Sequence, residues 1–309
     1  MLRFLARKPC LGIELTGSAV RMAMMSGCGV TRSIIFTGSM DLPDNLLIES
    51  YASPNITDMD RMRALLGKCV AAGVSKGARR AALSLPDSIF RVQSLEFDEL
   101  PPSSSDRERL IRWRLEKGAA SDIAEAVLRY QVLPRQDKGY TVLACIARQA
   151  VIDQYEALLL GLQLEPWAIG LSSLNTLNYY ASSLEKKASV NALAYVTGDT
   201  FATIIMESGG VRFYRFKDVK RGSADDVRGR LVREIDDSIH FYMHADRSQQ
   251  SIIKSLYLAG DTSAISELAD ELRAATQLEV EMLVPASADA SGNTVSQAMA
   301  AAMGAGGSL

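Results

Sequence analysis

The 309-residue sequence predicts an α/β protein in which a β-hairpin unit occurs twice, with a small α+β subdomain inserted between the copies. Three observations carry this reading. Two Thr-Gly turns stand 181 residues apart, at Gly17 and Gly198. Each sits in a run that reads strand, turn, strand, Gly-rich turn, strand, because apolar and β-branched stretches are broken by residues that tolerate positive φ. Between the copies, stretches with the 3.6-residue period of a helix alternate with strand-like stretches.

The first run opens at Glu14-Leu15-Thr16-Gly17-Ser18 and reaches Gly29-Val30; the second opens at Tyr195-Val196-Thr197-Gly198-Asp199 and reaches Gly210-Val211. Gly17 to Gly29 and Gly198 to Gly210 are both 12 residues, and Met25 and Met206 each lie 8 past their glycine. Such a duplication predicts two related half-domains facing each other, with the backbone N–H groups of each turn directed at a phosphate chain.

After the first unit, 10–39, a loop rich in Pro, Asp and Asn (41–57) leads into a helix with Met59, Met62, Leu65, Leu66 and Val70 on one stripe, ended by Gly73 and Gly77. Residues 80–97 read as a strand pair bent at Pro86. A Pro-Pro-Ser-Ser-Ser start predicts the charged helix 104–118; strands 126–134 and 139–148 and a Leu-rich helix 149–162 follow. A strand at 164–169, a helix through Leu171, Leu174, Leu177 and Tyr180, and a polar hinge from Ser182 to Ser189 lead to the second unit, 190–219. Then come a long helix with Val227, Leu231, Ile235, Ile239 and Met243 every fourth position, a buried strand 255–259, a helix 263–275, a strand 279–284 and a terminal helix 294–304. The expected domains are 1–77, the inserted subdomain 78–162, a return and hinge 163–189, the second domain 190–290, and 291–309 packing back on the first.

The composition, 48% hydrophobic and 23% charged, is that of an ordinary globular protein, and a net charge of −2 argues against nucleic acid as a partner. Cys10, Cys28, Cys69 and Cys145 are far apart and indicate neither a disulfide framework nor a zinc site. No apolar run approaches a membrane span, and the basic start, Met1 to Pro9, is too short for a signal peptide, so the cytoplasm is the expected compartment. His240 and His244, the only histidines, lack an evident third ligand, so no metal site is expected. No nucleophile–base or paired-carboxylate constellation can be assembled, and no catalytic residue is assigned.

The order of elements resembles the actin-like, ribonuclease H-like duplicated fold, and in particular the PilM family of type IV pilus assembly proteins, relatives of FtsA and of the cytoplasmic part of GspL. The resemblance covers nearly the whole chain. It rests on Leu11-Gly12-Ile13-Glu14-Leu15-Thr16-Gly17-Ser18-Ala19-Val20-Arg21, on Arg112-Trp113-Arg114-Leu115-Glu116-Lys117 followed by Tyr130-Gln131-Val132-Leu133, on the stretch Glu234 to Tyr242, and on Leu256-Tyr257-Leu258-Ala259-Gly260.

The resemblance implies a cytoplasmic scaffold of a type IV pilus or related secretion machine. It would be peripheral to the inner membrane and bind the N-terminal cytoplasmic peptide of a bitopic PilN-like partner, in a groove between the first half-domain and the insert. Strand edges at Leu83, Leu85, Val142 and Ala144 are the expected groove residues. A cytoplasmic pilus motor or self-association is a further expected contact. A nucleotide site with ATP and magnesium would draw on Glu14, Thr16, Gly17, Ser18 and Arg21 in the first half and Thr197, Gly198, Asp199, Thr200 and Gly260 in the second. The chain departs from the family there. Thr16 stands at a glycine position, Tyr195 replaces the aspartate that organises metal and water, and Asp261-Thr262 follow a lone Gly260, so a degenerate ATPase is the leading expectation. The alternative is an active or nucleotide-switched ATPase of the same machinery. A membrane-tethered filament former like FtsA fits less well, because the last helix has no Lys or Arg.

Overall fold

The computed structural model describes residues 10–26, 33–118, 123–135, 138–184, 190–207, 210–219, 224–245, 253–260 and 262–283. The expected terminal helix 294–304 and the basic start lie outside them. The chain divides into two compact units: among the described residues, 10–86 and 150–182 form the first, and 87–149 and 183–283 the second.

The first unit holds a five-stranded sheet of order β3-β2-β1-β4-β8, from β1 (Cys10–Leu15), β2 (Ala19–Ser26), β3 (Ser33–Asp41), β4 (Arg80–Leu85) and β8 (Glu165–Leu171). β1, β2 and β3 form an antiparallel meander, and β4 and β8 run parallel to β1. Every residue of β1 is buried, as expected of a central strand covered on both faces. Helix α1 (Met59–Ser75) starts at Asp58, whose side chain accepts from Arg61 N at 2.9 Å, and buries Met62, Leu66 and Val70. Gly73, expected as a terminator, lies inside this helix. A Cβ there would stand 3.2 Å from both methyl carbons of Leu11, so the glycine serves close helix–sheet packing, while Gly77 at φ 98° ends the turn. Helices α3 (Gln149–Gly161) and α4 (Ser172–Leu184) follow later in the chain.

The second unit repeats the plan. Strands β9 (Val190–Thr197), β10 (Thr200–Glu207), β11 (Gly210–Asp218), β12 (Ser255–Gly260) and β13 (Glu279–Met282) form a sheet of order β11-β10-β9-β12-β13. Helices α5 (Ala224–Ala245) and α6 (Thr262–Thr276) supply Leu231, Ile235, Ile239, Ile265, Leu268 and Leu272 to a core with Ala192, Ala194, Val196, Leu256 and Leu258. This unit also holds an antiparallel sheet of order β5-β7-β6, from β5 (Arg91–Phe97), β6 (Ala126–Pro134) and β7 (Tyr140–Arg148), capped by α2 (Ser104–Gly118) through Ile111 and Leu115. Arg112 fastens α2 to the entry of β6, its Nη1 donating to Ile123 O at 2.9 Å and Ala126 O at 3.0 Å. β11 packs against β5 and β7. The Gln131 side-chain oxygen accepts from Val211 N at 3.2 Å, Arg212 Nη1 donates to Pro134 O at 2.8 Å, and the Tyr214 hydroxyl donates to Asp87.

Two sequence expectations change. Residues 80–97 are not a strand pair: a 3-10 turn at Asp87–Ile89 separates β4, in the first sheet, from β5, in the small one. The insert is also narrower than 78–162, because β4 is clamped between β1 and β8 and α3 belongs with the first unit from Ala150 onward.

Candidate functional site: two matching turns

The two turns stand at matching positions and share one hydrogen bond, from the residue that follows the third strand to the carbonyl of Ser18 or Asp199; their other bonds differ. In the first turn Thr16 Oγ1 accepts from Ala19 N at 3.0 Å, Thr16 N donates to Ala19 O at 2.9 Å, and Ser18 O accepts from Leu42 N at 2.8 Å. In the second, Thr200 Oγ1 donates to Thr197 O at 2.9 Å and lies 3.2 Å from Thr197 Oγ1, and Asp199 O accepts from Val219 N at 2.9 Å. A β-bulge falls at Met24/Met25 in one copy and at Ile205/Met206 in the other, 181 residues on in each case. Beyond the bulge the copies diverge. Residues 27–32 separate β2 from β3, but only 208–209 separate β10 from β11. Gly210 begins β11, and the matched Gly29 lies outside the described residues.

The copies differ in electrostatics. Glu14 lies opposite Arg21 on β2 and beside Ser84 on β4; it is fully buried, with its Oε2 3.2 Å from Arg21 Nη1. A carboxylate this deep needs its cation, since burying an unpaired charge is costly. The equivalent residue of β9 is Tyr195, buried, opposite Ala202 and beside Ala259. One copy holds an ion pair where the other holds an aromatic ring and two small side chains.

The turn glycines differ as well. Gly198 has φ 54°, with nothing within 4 Å of where a Cβ would stand. Gly17 N donates to Glu49 Oε1 at 3.2 Å, and Glu49 Oε1 and Leu47 O lie 3.5 and 3.8 Å from its Cβ position. Gly260 ends β12 at φ 128°, and a Cβ there would stand 1.9 Å from Val196 O; only glycine fits. Asp261 lies outside the described residues.

The structure thus places Glu14, Thr16, Gly17, Ser18 and Arg21 together at one end of the first sheet, and Thr197, Gly198, Asp199, Thr200 and Gly260 together at one end of the second. It does not offer the expected groove edges. β4 lies between β1 and β8, and β7 between β5 and β6, so neither has a free edge for backbone pairing. Leu83, Leu85, Val142 and Ala144 are all buried, the last two within the core under α2, and the pairs belong to different units.

On α5, His240 Nδ1 lies 3.0 Å from Asp236 Oδ1 and the His240 and His244 rings stack 6.3 Å apart. Among the described residues no three His, Cys, Asp or Glu side chains gather to hold a metal ion, and no helix is long and apolar enough to cross a membrane. Sequence reasoning missed Glu49. It lies in a polar loop with no motif around it, and its contact with Gly17, 32 residues away, reveals it.

Two five-stranded sheets of the same mixed order, each beginning with a hairpin closed by a Thr-Gly turn, define an actin-like ATPase fold. No sequence-family model matches the chain, and no curated protein matches it by sequence. Its fold is PilM-like. A chain of a PilM–PilN type IV pilus biogenesis complex is similar with a TM-score of 0.78 at 17% identity, over 96% of this chain and 97% of that one. Two others are similar at lower scores. A Bacteroides thetaiotaomicron protein of actin-like ATPase fold and unknown function has a TM-score of 0.53 at 12% identity, over 98% and 99% of the two chains. The cytoplasmic domain of EpsL, an inner-membrane component of the Vibrio cholerae type II secretion system, has a TM-score of 0.52 at 11% identity, over 96% and 93%.

Proposed function

We infer that this protein is an actin-like scaffold of a type IV pilus or related secretion machine. It binds the cytoplasmic N-terminal peptide of a PilN-like bitopic membrane protein and is held at the inner membrane through that partner. The observation that carries the reading is the near end-to-end similarity to a chain of a PilM–PilN complex, at a TM-score well above those of the other actin-like folds. The hairpin chemistry supports a scaffold with a degenerate nucleotide site: Tyr195 takes the metal-organising carboxylate's place in the second copy, Glu14 is already neutralised by Arg21, and Gly17 N already has an anionic acceptor.

Calorimetric titration of the full chain with that N-terminal peptide is expected to give saturable binding; a micromolar complex corresponds to about −8 kcal/mol. No heat, together with no co-purification of the intact partner, overturns the scaffold reading. A parallel titration with Mg-ATP is expected to show weak binding at most, with hydrolysis near background, since losing one essential electrostatic group removes about 3 kcal/mol of transition-state stabilisation. One observation keeps a nucleotide-switched reading alive: Gly260 is still demanded by the backbone at the end of β12. Turnover well above background would favour it.

A further inference from the structure

The segment 47–56 is a small strap built to a purpose. Leu47 bridges to Ile56, Ile48 N donates to Asn55 O at 2.8 Å, and Thr57 N donates to Leu46 O at 3.1 Å. Its base is tied to α3 by two residues. Gln154 Oε1 accepts from Asn55 N at 2.7 Å and Ile56 N at 2.9 Å, while its Nε2 donates to Ile56 O at 2.9 Å. The Tyr155 hydroxyl donates to Asn55 Oδ1 at 2.9 Å. Inside the strap, Asn55 Nδ2 donates to Ser50 O and Ser53 O at 2.8 Å each, and Ser50 Oγ accepts from Ala52 N and Ser53 N.

This bracing presents one side chain to the first turn. Glu49 places a carboxylate oxygen 3.2 Å from Gly17 N, the kind of backbone donor that such a turn offers to an anion. A carboxylate oxygen and a phosphoryl oxygen are acceptors of the same type and cannot share that N–H without like-charge repulsion. The second copy supplies the contrast, since the corresponding Gly198 has open space around it.

We propose that Glu49 is a built-in occupant of the first turn, so that an anionic ligand reaches Gly17 only by displacing the tip of the strap. The inference rests on reading the turn as phosphate-type, and it assigns that turn's closure to one side chain rather than to the changes at Tyr195.

The test uses the full chain labelled with ¹⁵N-glycine, with the Gly17 and Gly198 amide signals followed while inorganic phosphate is added. In the wild-type protein the Gly17 signal should stay in place. In Glu49→Gln and Glu49→Ala it should shift and saturate, with affinity about fivefold or more above any wild-type response, the size expected when one like charge a few ångströms away is removed in water. Gln154→Ala, which frees the strap without changing the charge at its tip, should give an intermediate response. A Gly17 signal that responds equally in all four proteins, or in none, overturns the proposal. The readout is the Gly17 amide itself, so failure here is distinct from failure of the peptide titration, which is read as heat.

Discussion

A glycine's worth is set by its surroundings, and Gly198 and Gly260 give a matched comparison. Both have positive φ, but a methyl group at Gly198 meets nothing within 4 Å while one at Gly260 would stand 1.9 Å from Val196 O. Gly198→Ala should therefore cost about 1 kcal/mol, the left-handed penalty alone. Gly260→Ala should cost about 3 kcal/mol or more, because β12 must also move away from β9; urea unfolding of the two variants measures the gap. Thiols are a second residue-scale case. Burial pushes Cys10 up to about 11 and Cys145, with the Asp87 charge as a lesser cause, up to about 12. Well below the unfolded thiol pKa of about 8.5 both are protonated folded or unfolded and give no pH dependence. As pH rises through that value the unfolded thiols ionise while the folded ones hold their protons, so stability should fall from about pH 8 until the folded values of about 11 and about 12 are reached. Alkaline melting of Cys145→Ala should be less steep than that of the wild type. Alkylation at pH 8 should reach the buried Cys10 only after unfolding.

At the scale of the element, the two hairpins are one design solved twice. Arg21→Ala should cost up to about 3–5 kcal/mol by removing the cation beside the buried Glu14 carboxylate. Glu14→Tyr added to Arg21→Ala copies the Tyr195–Ala202 pairing of the other sheet, and this double variant should be more stable than Arg21→Ala in chemical denaturation. Gln154→Ala removes three hydrogen bonds to the strap, so about 2–3 kcal/mol of local stability should be lost, seen as faster amide exchange at Asn55 and Ile56. The hairpins were legible in the sequence because strand, turn and spacing are local properties, and Thr16-Gly17 and Thr197-Gly198 marked them. The divergence after Met25 and Met206 was hidden, since equal glycine spacing says nothing about where the next strand begins. Glu49 was hidden for another reason: its role depends on a tether from α3, about 100 residues further along the chain.

For the molecule as a whole, element order was readable but strand partnership was not. Nothing in Arg80 to Leu85 tells that these residues pair with β1 and β8, because a continuous apolar strand suits any interior position. That partnership decides what may be removed. Deleting 78–162 takes β4 out of the first sheet and leaves β8 without its neighbour, so no cooperative unfolding should remain. Deleting 87–149 takes no strand from either five-stranded sheet and should leave a folded protein, weakened where β11 loses its packing on β5 and β7. Circular dichroism melts of the two deletions separate these outcomes. The same arrangement has a consequence for biosynthesis. β8 completes the first sheet only after the 86 residues from Pro86 to Leu171 have followed β4 out of the ribosome. At about 5–20 residues per second that is roughly 4–17 s during which the nascent chain carries an open strand edge. The insert is made within that interval, so in bacterial translation this protein should engage chaperones before residue 171 is released and disengage soon after.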